Sequence, residues 1–222
     1  MIAGPVPFDG MDTTLTASLQ TPPAHAGRLL LIRHGQTAWN VERRFLGRTD
    51  LPLDAIGLDQ AARLGRRFAG TPIAAVWTSP LARARQTAAP IGAALPEAGL
   101  VEMDMGELEG LSASLFAQRY PDLVVAWRDQ PHAVRLPGGE VLADVQARGL
   151  EAVARIAATV APGETVAVVT HQLVLATVVC HHSGAPLSAF RTFMHRNTGV
   201  TTLALDETPH ILAFDDATHL DA

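Results

Sequence analysis

The apolar residues of this chain are grouped in short runs that alternate with segments of helical periodicity. Runs of strand length, rich in Leu, Ile and Val, predict β-strands at 28–33, 73–77, 165–170, 199–205 and 210–214. Between the strands, apolar residues recur three and four positions apart, which predicts helices over 57–70 and 138–160. This alternation favours an α/β fold of three layers (α/β/α), with helices on both faces of a mainly parallel central sheet.

A further helix is predicted directly after the second strand. Pro80 suits the first turn of a helix, and Ser79 before it suits the N-cap, where a hydroxyl accepts from free backbone N–H groups. Pro90 should shorten or kink this helix, because proline lacks an N–H and clashes with the preceding turn.

The N-terminal segment differs from the rest of the chain. Residues 1–26 are rich in Pro, Thr, Ala and Gly without periodicity, so we expect a flexible leader followed by one domain over 27–222. The leader lacks the charged start and apolar core of a signal peptide. The most hydrophobic segment, 165–180, is shorter than the ~20 residues that cross a bilayer, and His171 interrupts it. We therefore expect a cytoplasmic protein without a membrane partner.

Composition narrows the possible chemistry. All 17 basic residues are arginine, which excludes reactions that depend on a P-loop or Schiff-base lysine. The net charge of −5, without a basic block, gives no indication of a nucleic-acid partner. Cys180 is the only cysteine, so an internal disulfide and a cysteine-based zinc site are excluded, and we expect a buried thiol. We expect neither a bound metal nor a cofactor.

Three of the predicted strands are followed by a cation or an imidazole. Arg33 and His34 follow the first strand, Arg83 lies in the helix after the second, and His171 follows the strand at 165–170. The carboxyl ends of parallel strands meet at one edge of a sheet, where ligands bind. Polar strand ends alone would give mixed charges, whereas guanidiniums and imidazoles together can neutralise a phosphate monoester. A histidine there can also act as a nucleophile toward phosphorus.

These residues belong to an ordered set of motifs that resembles the histidine phosphatase superfamily, the phosphoglycerate-mutase-like proteins. In chain order the motifs are RHGQT followed by Asn40, then FLGRTDLPLDAIGLDQA, TSPLARARQTA, EMDMGELEGL, LPGGE and VVTH. They extend from about residue 28 to about residue 205. The resemblance implies a phosphoglycerate-mutase-like fold. It also implies a metal-independent reaction on a small phosphorylated substrate through a phosphohistidine, carried out by a monomer or homodimer.

The resemblance also implies a role for each matching residue. His34 is the expected nucleophile, and the absence of a side chain at Gly35 would let the backbone approach the phosphoryl group. The expected cationic cradle consists of Arg33, Arg83 and His171. Further substrate contacts are expected from Asn40, Gly47 and Gln172. Gln172 stands where the family usually has glycine, so it would narrow the pocket or add a donor near the phosphate.

A general acid must protonate the leaving oxygen, and EMDMGELEGL contains four carboxylates. The family motif has the acid four residues before a glycine, with a second glycine four residues further, which fits Glu102. Glu102 also directly follows an apolar pair. Asp104 is the alternative acid. Glu109 matches a glutamate that is commonly structural, and Glu107 is expected at the surface.

The motifs are compatible with a phosphatase, a phosphoglycerate mutase and a protein that only binds phosphorylated ligands. The complete set of catalytic groups disfavours the third. Mutases of this family usually carry an insertion after the acid, with extra basic residues that hold the substrate carboxylate and exclude water. Here the segment 103–137 is short and holds only Arg119, Arg128 and Arg135. A phosphatase is therefore favoured over a mutase.

Overall fold

The computed structural model describes residues 27–221, so the expected leader at 1–26 lies outside the described residues. A six-stranded sheet in the order β3-β2-β4-β1-β5-β6 forms its centre. The strands are β1 (Gly27–Arg33), β2 (Ala75–Thr78), β3 (Ala94–Pro96), β4 (Thr165–Thr170), β5 (Val200–Leu205) and β6 (His210–Asp216). The first four in spatial order run parallel, and the pairings of β5 with β1 and β6 are antiparallel. The predicted mainly parallel sheet is confirmed.

The two central strands are aliphatic because both of their faces are covered. Along β1, Leu29 and Leu31 belong to the apolar core on one face of the sheet, and Leu30 and Ile32 belong to the core on the other. Strand β4 alternates between the same two cores. A strand buried on both faces gives a continuous apolar run, which is why the sequence predicts these strands well.

Helices cover both faces of the sheet and complete the three layers. They are α1 (Ala38–Val41), α2 (Ala55–Phe68), α3 (Ala82–Ala88), α4 (Ala113–Arg119), α5 (Pro121–Asp129), α6 (Leu142–Ala157) and α7 (Gln172–His182). The α6 and α7 side chains share a core with Leu29 and Leu31, whereas α2 and α3 pack on the opposite face. Cys180 in α7 is fully buried, as expected.

The structure differs from the predicted elements at several places. Helix α3 begins at Ala82 with Leu81 as its N-cap, so the prediction of Ser79 as N-cap is wrong. The Ser79 hydroxyl accepts from Leu81 N at 3.3 Å, and it is also hydrogen-bonded at 2.7 Å to the ring of His171, which directly follows the neighbouring strand β4. Such a tertiary contact is invisible to local propensity. The helix ends before Pro90, as expected. The predicted helix at 138–160 begins only at Leu142, because Gly138 has a positive φ of 66° within a turn.

The sequence patterns did not predict β3, α4 or α5. Strand β3 has only three residues, too few for an alternating pattern. Helices α4 and α5 belong to the segment between the third and fourth strands and place Phe116 and Trp127 on the wall of a cavity. Leu115 and Val125 on the same two helices are exposed, so the apolar positions form no single stripe.

Within residues 27–221, no single helix has both the length and the apolar character needed to cross a membrane. The pair formed by α7 and the 3₁₀ segment Leu187–Phe193, bent by 114°, reaches that length and composition only when its two parts are taken together.

Gly57 at the start of α2 determines how closely this helix approaches the loop after β1. A Cβ at Gly57 would lie 2.1 Å from the backbone oxygen of Gln36. We expect Gly57→Ala to lower the free energy of unfolding by about 1–2 kcal/mol, because this overlap outweighs the helix propensity gained by alanine. Chemical denaturation measures the change.

Gly92→Ala is the matched control for this substitution, because its added Cβ would meet only the Val76 side chain, at 3.3 Å. Its stability should stay near that of the unsubstituted protein. Equal stability of the two variants would contradict the packing argument.

Candidate active site

The carboxyl ends of β1, β2 and β4 bring the predicted site residues together. Arg33 and Thr170 are the last residues of the adjacent strands β1 and β4, and they pair with each other. His34 and His171 directly follow them and therefore lie side by side. Their ring centroids lie 5.1 Å apart. Arg83, at the start of α3, reaches the same place, and its Nε lies 3.2 Å from His171 Nδ1.

His34 is buried, and its ring has a defined orientation. Its Nδ1 lies 2.7 Å from the carbonyl oxygen of Gly35, so Nδ1 carries the proton and donates it. Nε2 then holds the lone pair and has no hydrogen-bond partner among the described residues. Burial lowers the pKa of His34 well below 6.5, and the charges of Arg33 and Arg83 lower it further. The imidazole is therefore neutral at neutral pH, as a nucleophile requires.

Gly35 has a packing role. Its φ is not positive, and a Cβ there would lie 2.7 Å from the carbonyl oxygen of Gly57. The close backbone approach at Gly35 is therefore to helix α2. The expected approach of this backbone to a phosphoryl group is not needed to explain the glycine.

Arg83 is completely buried and is held by hydrogen bonds on three sides. Its Nη1 donates to Thr49 O (2.9 Å), its Nη2 donates to Gly47 O (2.7 Å), and its Nε donates to His171. Each terminal nitrogen keeps one further N–H, because guanidinium has five donors. The orientation of this cation is thus fixed by backbone carbonyls.

His171 is neutral in this arrangement. Because Nδ1 accepts from Arg83, Nε2 carries the proton and donates to Ser79 Oγ at 2.7 Å. Burial lowers the pKa of His171 well below 6.5, and the positive charge of Arg83 acts in the same direction. The structure thus brings His171 to the expected place, but as an uncharged imidazole.

Arg33 supplies an unpaired donor at this site. Its Nη1 donates to the carbonyl oxygen of His195 at 2.7 Å, whereas its buried Nε has no partner among residues 27–221. Burial lowers the pKa of Arg33 to about 10, so the guanidinium remains charged at neutral pH. A buried N–H without a partner is costly, and an anionic ligand would satisfy it.

The segment before β5 supports the site, and sequence reasoning missed it. Asn197 Nδ2 donates to His34 O (3.0 Å), and Thr198 N donates to Arg33 O (3.1 Å). Thr198 has a positive φ of 58° although it is not glycine, which places its N–H against β1. The polar run HRNTG directly before β5 is the signal that could have indicated this segment.

Glu102 is the buried carboxyl of the site. Its Oε1 accepts from Met103 N (2.8 Å), and its Oε2 accepts from Leu173 N (3.2 Å). Burial raises the pKa of Glu102 above its usual 4.5, although these bonds and the charge of Arg83 oppose the rise. Glu102 lines the same cavity as His34. The geometry therefore suits a carboxyl that holds and transfers a proton.

The other three carboxylates of this segment lie outside the cavity wall. Asp104 accepts from Gly106 N at 2.9 Å and forms an ion pair with Arg48. Glu107 accepts from a tyrosine hydroxyl at the surface. Glu109 accepts from the backbone N–H groups of Gly47, Arg48 and Thr49. Glu109 thus fixes the loop whose carbonyls orient Arg83.

Of the other three predicted substrate contacts, Asn40 and Gln172 line the cavity and Gly47 does not. Asn40 lines the cavity, and its Oδ1 accepts from Thr37 N and Oγ1 at 3.1 Å each. Gln172 also lines it, with Oε1 and Nε2 buried and without partners in the described chain. Gly47 lies behind Arg83, where a Cβ would overlap Glu109 and Met103, so it positions the arginine without facing the cavity.

A cavity of about 380 Å³ opens from this group of residues. Arg33, His34, Glu102 and Gln172 form its polar end, and aromatic and aliphatic side chains form most of the remaining wall. Among residues 27–221, no group of three or more His, Cys, Asp or Glu side chains could hold a metal ion. The polar end is suited to an anion, because Arg33 lines it and the charge of the buried Arg83 acts on the adjacent His34.

The buried histidines make stability depend on pH. Burial lowers the pKa values of His34 and His171, and that of His195 to about 4. Unfolding therefore takes up protons below pH 6.5. The stability that these neutral histidines contribute is fully present above that pH and is lost as pH falls. His195 contributes about 2 kcal/mol of this loss between pH 7 and pH 5, and His34 and His171 act in the same direction. Because the pKa of Glu102 is raised, its contribution to stability increases as pH falls, which reduces the total loss of stability.

Urea unfolding at pH 7 and pH 5 measures this difference, and His195→Gln should reduce it by about 2 kcal/mol. Asp216, with a pKa lowered to about 2, loses its contribution only at lower pH and does not interfere. Equal stability at the two pH values would contradict neutral buried histidines.

The chain is similar to known proteins over most of its length. Residues 29–214 match the family model of the histidine phosphatase superfamily (branch 1). Phosphoserine phosphatase 1 of Hydrogenobacter thermophilus is 29% identical over 193 residues, which cover 83% of this chain and 90% of the relative. A probable phosphoglycerate mutase GpmB of Klebsiella pneumoniae is 32% identical over 211 residues, or 88% of this chain and 95% of the relative.

Solved structures of similar fold include Bacillus stearothermophilus YhfR, at 34% identity and a TM-score of 0.82, covering 88% of this chain and all of that one. A putative alpha-ribazole-5'-P phosphatase from Escherichia coli K-12 has 25% identity and a TM-score of 0.79, covering 86% of this chain and 97% of that one. Because the family model matches most of the chain and the fold is shared, this protein belongs to the histidine phosphatase superfamily.

Proposed function

We propose that this protein is a metal-independent phosphatase that hydrolyses phosphate monoesters through a phosphohistidine at His34. The observation that carries the proposal is the orientation of His34. Its Nδ1–H donates a hydrogen bond to Gly35 O, so the lone pair is on Nε2, and His34 lies at the polar end of the cavity. The buried Glu102 lines the same cavity. A neutral nucleophile and a carboxyl with a raised pKa are the pair that a two-step phosphoryl transfer needs.

In the first step, the lone pair of His34 Nε2 attacks phosphorus and the ester P–O bond breaks. Glu102 gives its proton to the departing oxygen, so the products are an alcohol and a phosphohistidine. In the second step, Glu102 takes a proton from water, and the oxygen of that water attacks phosphorus. The P–N bond then breaks and inorganic phosphate leaves. His34 and Glu102 return to their initial protonation states, as a catalytic cycle requires.

The arginines would hold the phosphoryl oxygens. Arg33 lines the cavity and offers its unpartnered buried Nε. Arg83 lies behind the cavity wall and is fully buried, so it would hold a phosphoryl oxygen only if one of its remaining N–H groups became accessible. We assign further hydrogen bonds to the amide nitrogens of Asn40 and Gln172. A dianion beside His171 would raise the pKa of its imidazole, since an opposite charge favours the protonated form. In that state Nδ1 would carry a proton and lose its hydrogen bond from Arg83, and Nε2–H would have to leave Ser79 Oγ for His171 to hold a phosphoryl oxygen.

Guanidinium charge takes the place here that a metal ion occupies in other phosphatases. We therefore expect turnover to be unchanged in excess chelator.

The principal experiment tests the nucleophile. We expect His34→Ala to lower phosphate release from p-nitrophenyl phosphate by about 10⁴–10⁶-fold, as for other nucleophiles that act with a partner group. It should also abolish the acid-labile phosphoryl label that appears when labelled substrate is mixed with enzyme and rapidly quenched.

His181→Ala is the matched control, because His181 is exposed at the end of α7. It should retain both the turnover and the label. A label that persists in the His34 variant would assign the nucleophile to another residue.

The role of Glu102 is tested with leaving groups of different acidity. Glu102→Gln should slow hydrolysis of an alkyl phosphate by about 10²–10⁴-fold, because an alkoxide needs a proton to leave. The burst of nitrophenolate from p-nitrophenyl phosphate should change much less, since nitrophenolate leaves without protonation.

Asp104→Asn serves as the control and should slow the hydrolysis of both substrates only slightly, because Asp104 lies outside the cavity wall. If Asp104→Asn showed the dependence on leaving group and Glu102→Gln did not, the assignment of the acid would be wrong.

A phosphoglycerate mutase is the second candidate, because a relative at 32% identity is named a probable phosphoglycerate mutase. Given 3-phosphoglycerate and a trace of 2,3-bisphosphoglycerate, we expect phosphate release to be faster than formation of 2-phosphoglycerate. The physical reason is the scarcity of free cations in the cavity to hold a substrate carboxylate. Coupled assays measure both products, and efficient isomerisation with little phosphate release would favour the mutase.

A further inference from the structure

The wall of the cavity is apolar beyond its phosphate-binding end. Phe45, Met105, Leu108 and Leu136 line it together with Phe116 of α4 and Trp127 of α5. Phe45 and Phe116 pack edge to face, with ring centroids 5.2 Å apart. The same wall also includes Leu46, Leu173, Phe190 and Met194. Such a wall stabilises hydrocarbon groups and leaves the polar groups of a substrate without partners.

Two arginines also line the cavity, and both have protein partners. Arg44 forms an ion pair with Glu42 and donates to Gly110 O at 2.9 Å. Arg191 lies at the exposed rim, where it donates to Trp127 O at 2.7 Å. The Arg191 guanidinium carbon lies 4.7 Å from the centroid of the Phe190 ring, so this cation stacks on an aromatic face at the rim.

The carboxylates near the cavity are also engaged. Glu102 accepts two backbone N–H bonds, and Glu42 is paired with Arg44. The cavity thus combines a polar end, which holds Arg33, with a larger region whose wall is mostly hydrocarbon. The two regions correspond to the two parts of an ester, in which a phosphoryl group is joined to an organic group.

We propose that the substrates of this enzyme are phosphate monoesters of bulky, apolar alcohols or phenols that carry no second anionic group. This inference rests on the proposed phosphatase function and specifies its leaving group. The phosphoryl group occupies the arginine end, and the hydrocarbon part fills the compartment between Phe45, Phe116, Trp127 and Phe190. Small acids such as phosphoserine and 3-phosphoglycerate lose more by desolvation of their carboxylate than they gain from this wall.

A series of n-alkyl phosphates tests the inference without changing the chemistry. Ethyl, butyl and hexyl alcohols have nearly the same acidity, so the demand on the general acid is constant. Each buried methylene should raise kcat/KM about fourfold, which gives about 100-fold or more from ethyl to hexyl phosphate. A hexyl phosphate with a terminal carboxylate, compared at the same length, should be the poorer substrate.

Two substitutions on α4 test whether the cavity wall causes the rise of kcat/KM with chain length. Phe116 lines the cavity and is 6% exposed, whereas its neighbour Leu115 is 42% exposed on the outer side. Phe116→Ala should reduce the ratio of kcat/KM between hexyl and ethyl phosphate by about tenfold, and Leu115→Ala should leave that ratio unchanged. Because each ratio is measured within one protein, loss of folded enzyme does not affect it. Trp127→Ala provides a second wall variant with the same expected direction.

The outcomes separate this inference from the proposed function. Hydrolysis of ethyl and hexyl phosphate at equal efficiency, or preference for the carboxylated ester, would overturn the apolar class and leave the phosphatase function intact. Absence of hydrolysis across the whole series, with p-nitrophenyl phosphate also unreacted, would overturn both. A steep rise with chain length that Phe116→Ala reduces and Leu115→Ala does not would support the inference.

Discussion

The buried guanidinium of Arg83 is the group on which the arrangement of the site depends. A fully buried cation is tolerated only when its donors are satisfied, and here two backbone carbonyls and one imidazole accept from it. The carbonyls belong to the loop at 47–49, which Glu109 holds by its backbone N–H groups. The imidazole belongs to His171, whose other nitrogen is bonded to Ser79. Residues from three distant parts of the sequence are thus fixed around one charge.

The same cations determine the state of the two adjacent histidines. Arg33 and Arg83 lie close to both rings, and burial removes the water that would otherwise stabilise a proton on them. Four protonated groups in this volume would repel one another strongly. The structure contains two guanidiniums that remain charged at neutral pH and two imidazoles that are neutral at that pH. The uncharged ring of His34 therefore results from its surroundings and requires no separate base.

The sequence predicted those parts of the structure whose cause is local or is repeated along the chain. Strands β1 and β4 are buried on both faces, so their aliphatic runs revealed them, and the rule for strand ends brought His34 and His171 together. The missed features depend on tertiary contacts. Ser79 has the propensity of an N-cap, yet its hydroxyl is bonded to His171. The segment before β5 supports β1 partly through backbone N–H groups, which any residue type carries.

The separation between the sheet edge and the cavity wall has an evolutionary consequence. The polar end of the cavity, where we propose that the phosphoryl group binds, is built from strand termini and from loops hydrogen-bonded to them, so a substitution there disturbs several partners at once. Helices α4 and α5 contribute to the wall from a segment between the third and fourth strands, outside the sheet ladder. Their side chains can therefore be exchanged with little effect on the reacting groups. A scaffold divided in this way can acquire new substrates by drift in one short segment while the chemistry of the reacting centre stays constant.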